Sequence, residues 1–245
     1  MKLTGRLVGV HELKDEQRDT MFALMQRYYD NLARANFEAD LAEKQWIIHV
    51  HDALTGELCG FSTQMLLDIT VQGRPIKALF SGDTIVARDY WGDSTLAQVG
   101  GRLALSLMDA YPEADLYWFL ISKGYKTYRF LPVFFHEFYP RPEAVTPAWA
   151  KAIIDVLGRF KYPTSYDPAA GVVQAGPTTD RLRDGIADIT RERMRDPAVR
   201  FFVARNPGFA RGDELCCVAA LTRANFTPAA YRVLGQKPVG LGAFP

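Results

Sequence analysis

The chain has 245 residues, 48% of them hydrophobic, 12% aromatic and 23% charged, the make-up of a globular protein with a sizeable core and not of a disordered or fibrous one. Its 29 basic and 28 acidic side chains leave a net charge of +1, which excludes a global field drawing it onto nucleic acid or an anionic membrane. Cys59 and the adjacent Cys216 and Cys217 form neither a disulfide framework nor a CxxC metal pattern, and no window approaches the roughly 20 apolar residues of a membrane helix, so the sequence reads as soluble and cytoplasmic.

Residues Lys14 to Ala35 carry Met21, Phe22, Leu24, Met25, Tyr28, Tyr29 and Leu32 at helical spacing, with Asp15, Glu16 and Asp19 at the front, where a helix dipole favours acids. A second short helix is expected over 37–44. "QWIIHVHD" and "LCGFSTQMLLDI" flank "DALTGE", which has hairpin turn chemistry, and "VQGRPI" punctuates the chain before "KALFSGDTIVA", giving three successive antiparallel strands. Leu96, Val99, Leu103 and Leu107, with the small Gly100, Gly101 and Ala104, mark a helix lying close on the sheet, and "ADLYWFLI" is a buried strand. "SKGYKTYRFLPVFFHEFYP" reads as a helix breaking near Pro132 and running into a short strand that ends at Pro140.

A helix follows from Pro147 to Phe160, with Thr146 as its cap. The Pro-, Gly-, Ser- and Thr-rich stretch through Thr179 reads as an ordered loop or linker. "DRLRDGIADITRERMRD" reads as a helix with paired charges, "AVRFFVARNPGFARGDELCCVAAL" as two short strands around Asn206 to Gly208, and "GQKPVGLGAFP" as a loose tail.

Over roughly residues 5 to 140 this order resembles the GNAT superfamily of N-acetyltransferases. The hairpin "WIIHVHDALTGELCGFST", the strand, turn and helix of "LFSGDTIVARDYWGDSTLAQVGGRL", and "WFLISKGYKTYRFLPVFFHEFYP" carry the likeness. It implies an α/β fold with a mixed, mostly antiparallel sheet flanked by helices over residues 1–142, and an α+β extension over 143–245 packed on that core. It also implies an N-acyltransferase whose donor is acyl-CoA or an acyl-phosphopantetheine and whose acceptor is a small-molecule amine, without a metal. The alternative is a relative that has lost catalysis and binds a ligand or partner.

In that family the donor's pyrophosphate meets the amides of the turn before the central helix, here Gly92, Asp93, Ser94 and Thr95, and such a helix start is an anion site. Aligning Gly92 with the first glycine of the family signature places Asp89 where a basic residue stands and Ser94 at the second glycine. Asp93 would repel a diphosphate unless it turns away to cap the helix; a donor on an acyl carrier protein carries less phosphate charge. Lys123 and Lys126, along one helix side with Arg129, are the candidate cations for the phosphate or for an acidic carrier.

Acyl transfer needs an amine freed of its proton, a polarised carbonyl and a quench for the thiolate. Ser81 and Asp83 alternate onto one face of the central strand, and Gly82 between them permits a bulge or a close approach. Burial would raise Asp83 toward a useful base; its structural alternative is a carboxylate holding donors across a bulge. The family's tyrosine acid is replaced by Phe134 or Phe135, which leaves Tyr125 and Tyr128, three apart on one helix face, as candidate proton donors or as core. His49, His51 and His136 read as structural, and Cys216 and Cys217 as small hydrophobes. The aromatics Trp118, Phe119, Phe130, Phe134, Phe135 and Phe138 exceed what an acetyl pocket needs, so a subset is a candidate lining for a longer acyl chain.

Overall fold

The computed structural model describes residues 2–186 and 188–236. In chain order the elements are β1 (Leu3–Gly9), α1 (Asp15–Gln26), β2 (Tyr29–Asp30), α2 (Arg34–Ala42), β3 (Trp46–Asp52), β4 (Leu58–Val71), β5 (Arg74–Val86), α3 (Thr95–Ala110), β6 (Asp115–Ser122), α4 (Tyr125–Tyr128) and α5 (Phe130–Phe134). Then come α6 (Ala148–Lys161), β7 (Tyr166–Asp167), β8 (Val172–Val173), β9 (Arg181–Leu182), α7 (Pro197–Arg205), β10 (Glu214–Ala220) and α8 (Pro228–Leu234). One sheet runs in the order β1-β3-β4-β5-β6-β10-β8-β7, and β2 pairs with β9 apart from it. Within the large sheet β5 and β6 are parallel and the other pairs antiparallel, so the expected mixed, mostly antiparallel α/β sheet is present. Strands from both sides of residue 143 share it.

Alternation along the strands assigns each face its helices. Leu79, Leu120, Leu215 and Cys217 meet α3, α7 and α8 in one core, while Phe80, Phe119, Cys216 and Val218 meet α6, and Ile47, Phe61 and Ile85 meet α1 and α2 on the opposite face. The β4–β5 turn uses Gln72 and Gly73 at φ +50° and +82°, the left-handed pair that matches hairpin twist.

Several segments differ from expectation. The first helix stops at Gln26 because Tyr29 and Asp30 pair with Leu182 and Arg181, and the Tyr28 hydroxyl accepts from the Arg88 amide. That same pairing, with Gly185 at φ +82° and its amide donating to Asp188, replaces the helix expected over 180–196. The strand expected at 198–205 is a helix: Asp196 accepts from the Ala198 amide and Pro197 occupies the first turn, the start signal of "DP" outweighing the aromatic run. Pro147 caps α6 without a side-chain bond. After α5 the expected strand is reduced to isolated bridges, Phe135 to Phe226 and Tyr139 to Val218. Of the expected tail, residues beyond Gln236 lie outside the described residues. Among the described residues, no helix is long and apolar enough to cross a membrane.

Candidate active site

The site begins with one extra residue. β4 and β5 pair regularly from Val71 and Arg74 to Gln64 and Ser81, but the next partners are Ser62 and Thr84, so Gly82 and Asp83 together stand opposite Thr63. Such a bulge reverses side-chain alternation. A Cβ at position 82 would come 2.7 Å from Thr63 Oγ1 and 2.9 Å from Lys44 Cε, which is why glycine stands there. Ser81 stays on the α3 side while Asp83, like Ile85, turns to the α1 and α2 side. The expectation that Ser81 and Asp83 share a face is therefore corrected. At the same level β6 leaves β5: their parallel pairing ends at Ser81 and Leu120.

A cavity lies on each side of this parting. The first sits beneath α3, α5 and α8 and is lined by Leu79, Leu120, Phe134, Phe135, Phe226 and Leu234 among others. Apart from Thr127, its polar side chains form one chain. Trp118 Nε1 donates to Ser81 Oγ (2.8 Å), Ser81 Oγ to Gln64 Oε1 (2.7 Å), and Gln64 Nε2 to Ser62 Oγ (2.7 Å). Ser62 Oγ lies 2.6 Å from Thr84 Oγ1, which donates to the Gly82 carbonyl at 3.1 Å. Because each proton has one acceptor, the chain runs in one direction and ends by holding the bulge.

The second cavity lies beside α2, β9 and β10 and is lined by Asp40, Asp83, Asp180, Glu214, Lys123 and Tyr162 among others. Lys123 pairs with Asp180 at 2.6 Å and Glu214 at 3.6 Å; burial alone would lower it, but the two carboxylates outweigh that and raise it. Asp40 pairs with the fully buried Lys44 at 2.6 Å. Asp83 is half-buried, and among the described residues no side chain pairs with it. Burial first, and then the Asp40 carboxylate, push its carboxyl up to about 7. Thr84 and Thr127 line both cavities, so the two share a wall at the parting of the strands.

The other expected residues disperse. Tyr125 and Tyr128 are both buried core in the α7 and α8 cluster. Tyr128 donates to the Pro140 carbonyl at 2.9 Å and stacks on Phe201; neither tyrosine lines either cavity. Asp93 accepts from the Thr95 amide at 2.7 Å, so it caps α3, with Gly92 at φ +97° in open space before it; Leu96 and Ala97, not Gly92, Ser94 or Thr95, reach the first cavity. Lys123 faces the acidic cavity, away from α3. Lys126 is exposed, its Nζ 3.1 Å from the Trp91 ring centre, with Arg88 over the same ring; partial burial, then Arg88 and Arg193, lower it to about 8. Arg129 pairs with Asp196.

Gln64, Thr84, Thr127, Asp180 and Glu214 were not singled out from the sequence. Asp180 and Glu214 reach the site from far along the chain through β9 and β10, which no local pattern announces. Gln64, in contrast, is a buried polar residue inside the apolar run of β4, and that was a readable signal. The described residues hold no cluster of His, Cys, Asp and Glu able to bind a metal.

No family model matches the chain, and no curated protein gives a significant match. Solved structures similar to it include a probable N-acyltransferase from Enterococcus faecalis (17% identity, TM-score 0.42), which covers 64% of this chain, while the chain spans 44% of its length. A GNAT family N-acetyltransferase from Escherichia coli, solved in complex with CoA, is similar at 16% identity and TM-score 0.36, over 50% of this chain and 65% of that one. Glucosamine-6-phosphate N-acetyltransferase from Arabidopsis thaliana is similar at 15% identity and TM-score 0.32, over 49% and 82%. These are likenesses of outline; the GNAT-like character of the fold rests on the element order and the single parallel pair described above.

Proposed function

We propose that the chain transfers an acyl group from a pantetheine thioester, carried by coenzyme A or an acyl carrier protein, to the amine of a small molecule. The observation that carries this is the pair of cavities, one apolar and one acidic, sharing Thr84 and Thr127 at the point where β5 and β6 part, with Asp83 facing the acidic one. The thioester carbonyl would stand at that shared wall and the amine beside Asp83. An amine enters such a carboxylate-lined space as the ammonium ion, and Asp83, poised near neutrality, takes one of its protons. The freed nitrogen attacks the carbonyl carbon; as the C–N bond forms and the C–S bond breaks, the second proton passes from nitrogen to the leaving sulfur. Written this way, the transfer needs no tyrosine acid, which accords with the burial of Tyr125 and Tyr128.

The phosphate end of the donor belongs at the start of α3, where Asp93 is already spent as a cap and Lys126 and Arg88 supply positive charge. The test is to mix the protein with a panel of acyl thioesters and primary amines and follow free thiol. Turnover requiring both substrates and lost in Asp83→Asn is expected; tight binding of thioesters without turnover would make the protein a ligand-binding relative that has lost catalysis.

A further inference from the structure

We propose that the apolar cavity under α3, α5 and α8 holds the hydrocarbon chain of the donor, so that the acyl group transferred is of medium or long chain and not acetyl. This rests on the acyl-transfer function proposed above and deepens it. Three observations bear on the occupant. First, most polar side chains facing the cavity are bonded to one another: the Trp118, Ser81, Gln64, Ser62 and Thr84 chain spends each of its hydroxyl and indole protons internally, leaving as donors only the second Gln64 Nε2 proton and, at the wall shared with the acidic cavity, the Thr127 hydroxyl. An occupant with several amides, such as the pantetheine arm itself, would find few partners along these walls and bury the rest at a cost, whereas a hydrocarbon needs none and removes apolar surface from water.

Second, the cavity has a direction. Along the strand register it runs from the level of Ser81 and Leu120, beside Thr84 and Thr127 where we place the reacting carbonyl, past Leu79 and Trp118 to Leu221. A chain attached to that carbonyl has this path inward.

Third, α3 carries two glycines in its interior, where glycine is the least favourable residue after proline. Gly101 has a packing reason, since a Cβ there would meet Leu234 Cδ2 at 2.8 Å. Gly100 has none: its Cβ would touch only Ile48 Cδ1, at 3.4 Å, and would otherwise project into the cavity it lines. Space for a ligand is what the glycine preserves.

Isothermal titration of the full chain with CoA, acetyl-CoA, octanoyl-CoA and octanoyl-pantetheine tests the proposal. Octanoyl-CoA is expected to bind at least about tenfold more tightly than acetyl-CoA, because each buried methylene adds favourable transfer energy. Gly100→Leu, or Ala104→Leu should the first variant fail to fold, is expected to cut that advantage by about tenfold relative to CoA alone. A gain seen only with octanoyl-pantetheine supports the chain site and assigns the donor to a carrier protein. Equal affinity for acetyl- and octanoyl-CoA, with turnover of either, overturns the chain site and leaves the transferase standing; failure of every thioester to bind overturns both.

Discussion

The two cavities are built from the same strands and differ in what holds them together. On the α3 side the walls are aliphatic and aromatic, and the few polar groups, the shared Thr127 apart, are closed into one hydrogen-bond chain. On the α2 side the walls carry four carboxylates against one lysine, and Asp83 alone is left without a partner among the described residues. A regular strand could not serve both, because Ser81 and Asp83 would then point the same way. The single bulge at Gly82 makes one face a dry place for a chain and the other a charged place for an amine.

The largest effect that would break this comparison is on turnover. Asp83→Asn should lower the rate of thiol release by about 100-fold or more, the ordinary contribution of a general base. In the wild type the rate should climb with pH until the carboxyl ionises near 7, and the variant should lack that limb. Stability follows the opposite course. A carboxyl whose folded pKa lies above its unfolded value of 3.8 binds more protons in the fold, so the wild type loses stability as pH rises from about 4 through 7. Chemical denaturation should find Asp83→Asn level with the wild type near pH 4 and more stable by about 2 kcal/mol at pH 8, the full shift being discounted for exposure.

Next in size is a pair of stability changes that separates the charged face from the dry one. Lys123→Met leaves Asp180 and Glu214 without their cation and should cost about 3 kcal/mol at pH 7, as loss of one partner of a buried pair does. The loss should shrink toward pH 4, because burial raises the pKa of Glu214 and its stranded carboxylate takes up a proton there. Leu79→Ala, in the core under α3, should cost about 2–4 kcal/mol for lost transfer energy and cavity, and that cost should not move with pH. Urea titrations at both pH values check the contrast; a pH-independent Lys123→Met would mean that the carboxylates are not held by charge.

How far the sequence exposes this arrangement follows the range of the interactions. The hairpins and α3 are legible because turn chemistry and apolar period are local, and Asp83 beside Gly82 is legible because an acid next to a glycine in an apolar strand has few explanations. The opposite orientation of Ser81 is not, since bulge register is set by the partner strand at Thr63. Tyr125 and Tyr128 have the spacing of catalytic candidates, but whether such a face meets a cavity or a helix depends on α7, which packs on Tyr128 through Phe201 and Phe202 from a segment whose strand-like composition hid a helix. The acids of the second cavity depend on β9 and β10, far along the chain, and their arrival is a matter of tertiary pairing.

A smaller effect tests whether the polar chain links the faces. Ser81→Ala removes the acceptor of Trp118 Nε1 and the donor to Gln64 Oε1, and should cost about 1–2 kcal/mol for the groups left unpaired. Because that chain ends at the Gly82 carbonyl, turnover should fall as well, with the limb near pH 7 retained. A change in stability without any change in kcat would show that the bulge is held by β4 pairing alone.

The smallest effect sets stability against the dry cavity directly. Gly100→Ala restores helix propensity in the interior of α3 and should raise stability by about 1 kcal/mol, since the added methyl meets only Ile48 Cδ1 at 3.4 Å. If the space above Gly100 serves a ligand, the same methyl should narrow the cavity and shift preference toward shorter acyl chains, a loss of affinity beside a gain of melting temperature. A variant that gained stability and kept its affinity for octanoyl-CoA would show that the glycine preserves nothing. Opposite movement of the two readings is what distinguishes a helix opened for an occupant from one that is merely imperfect.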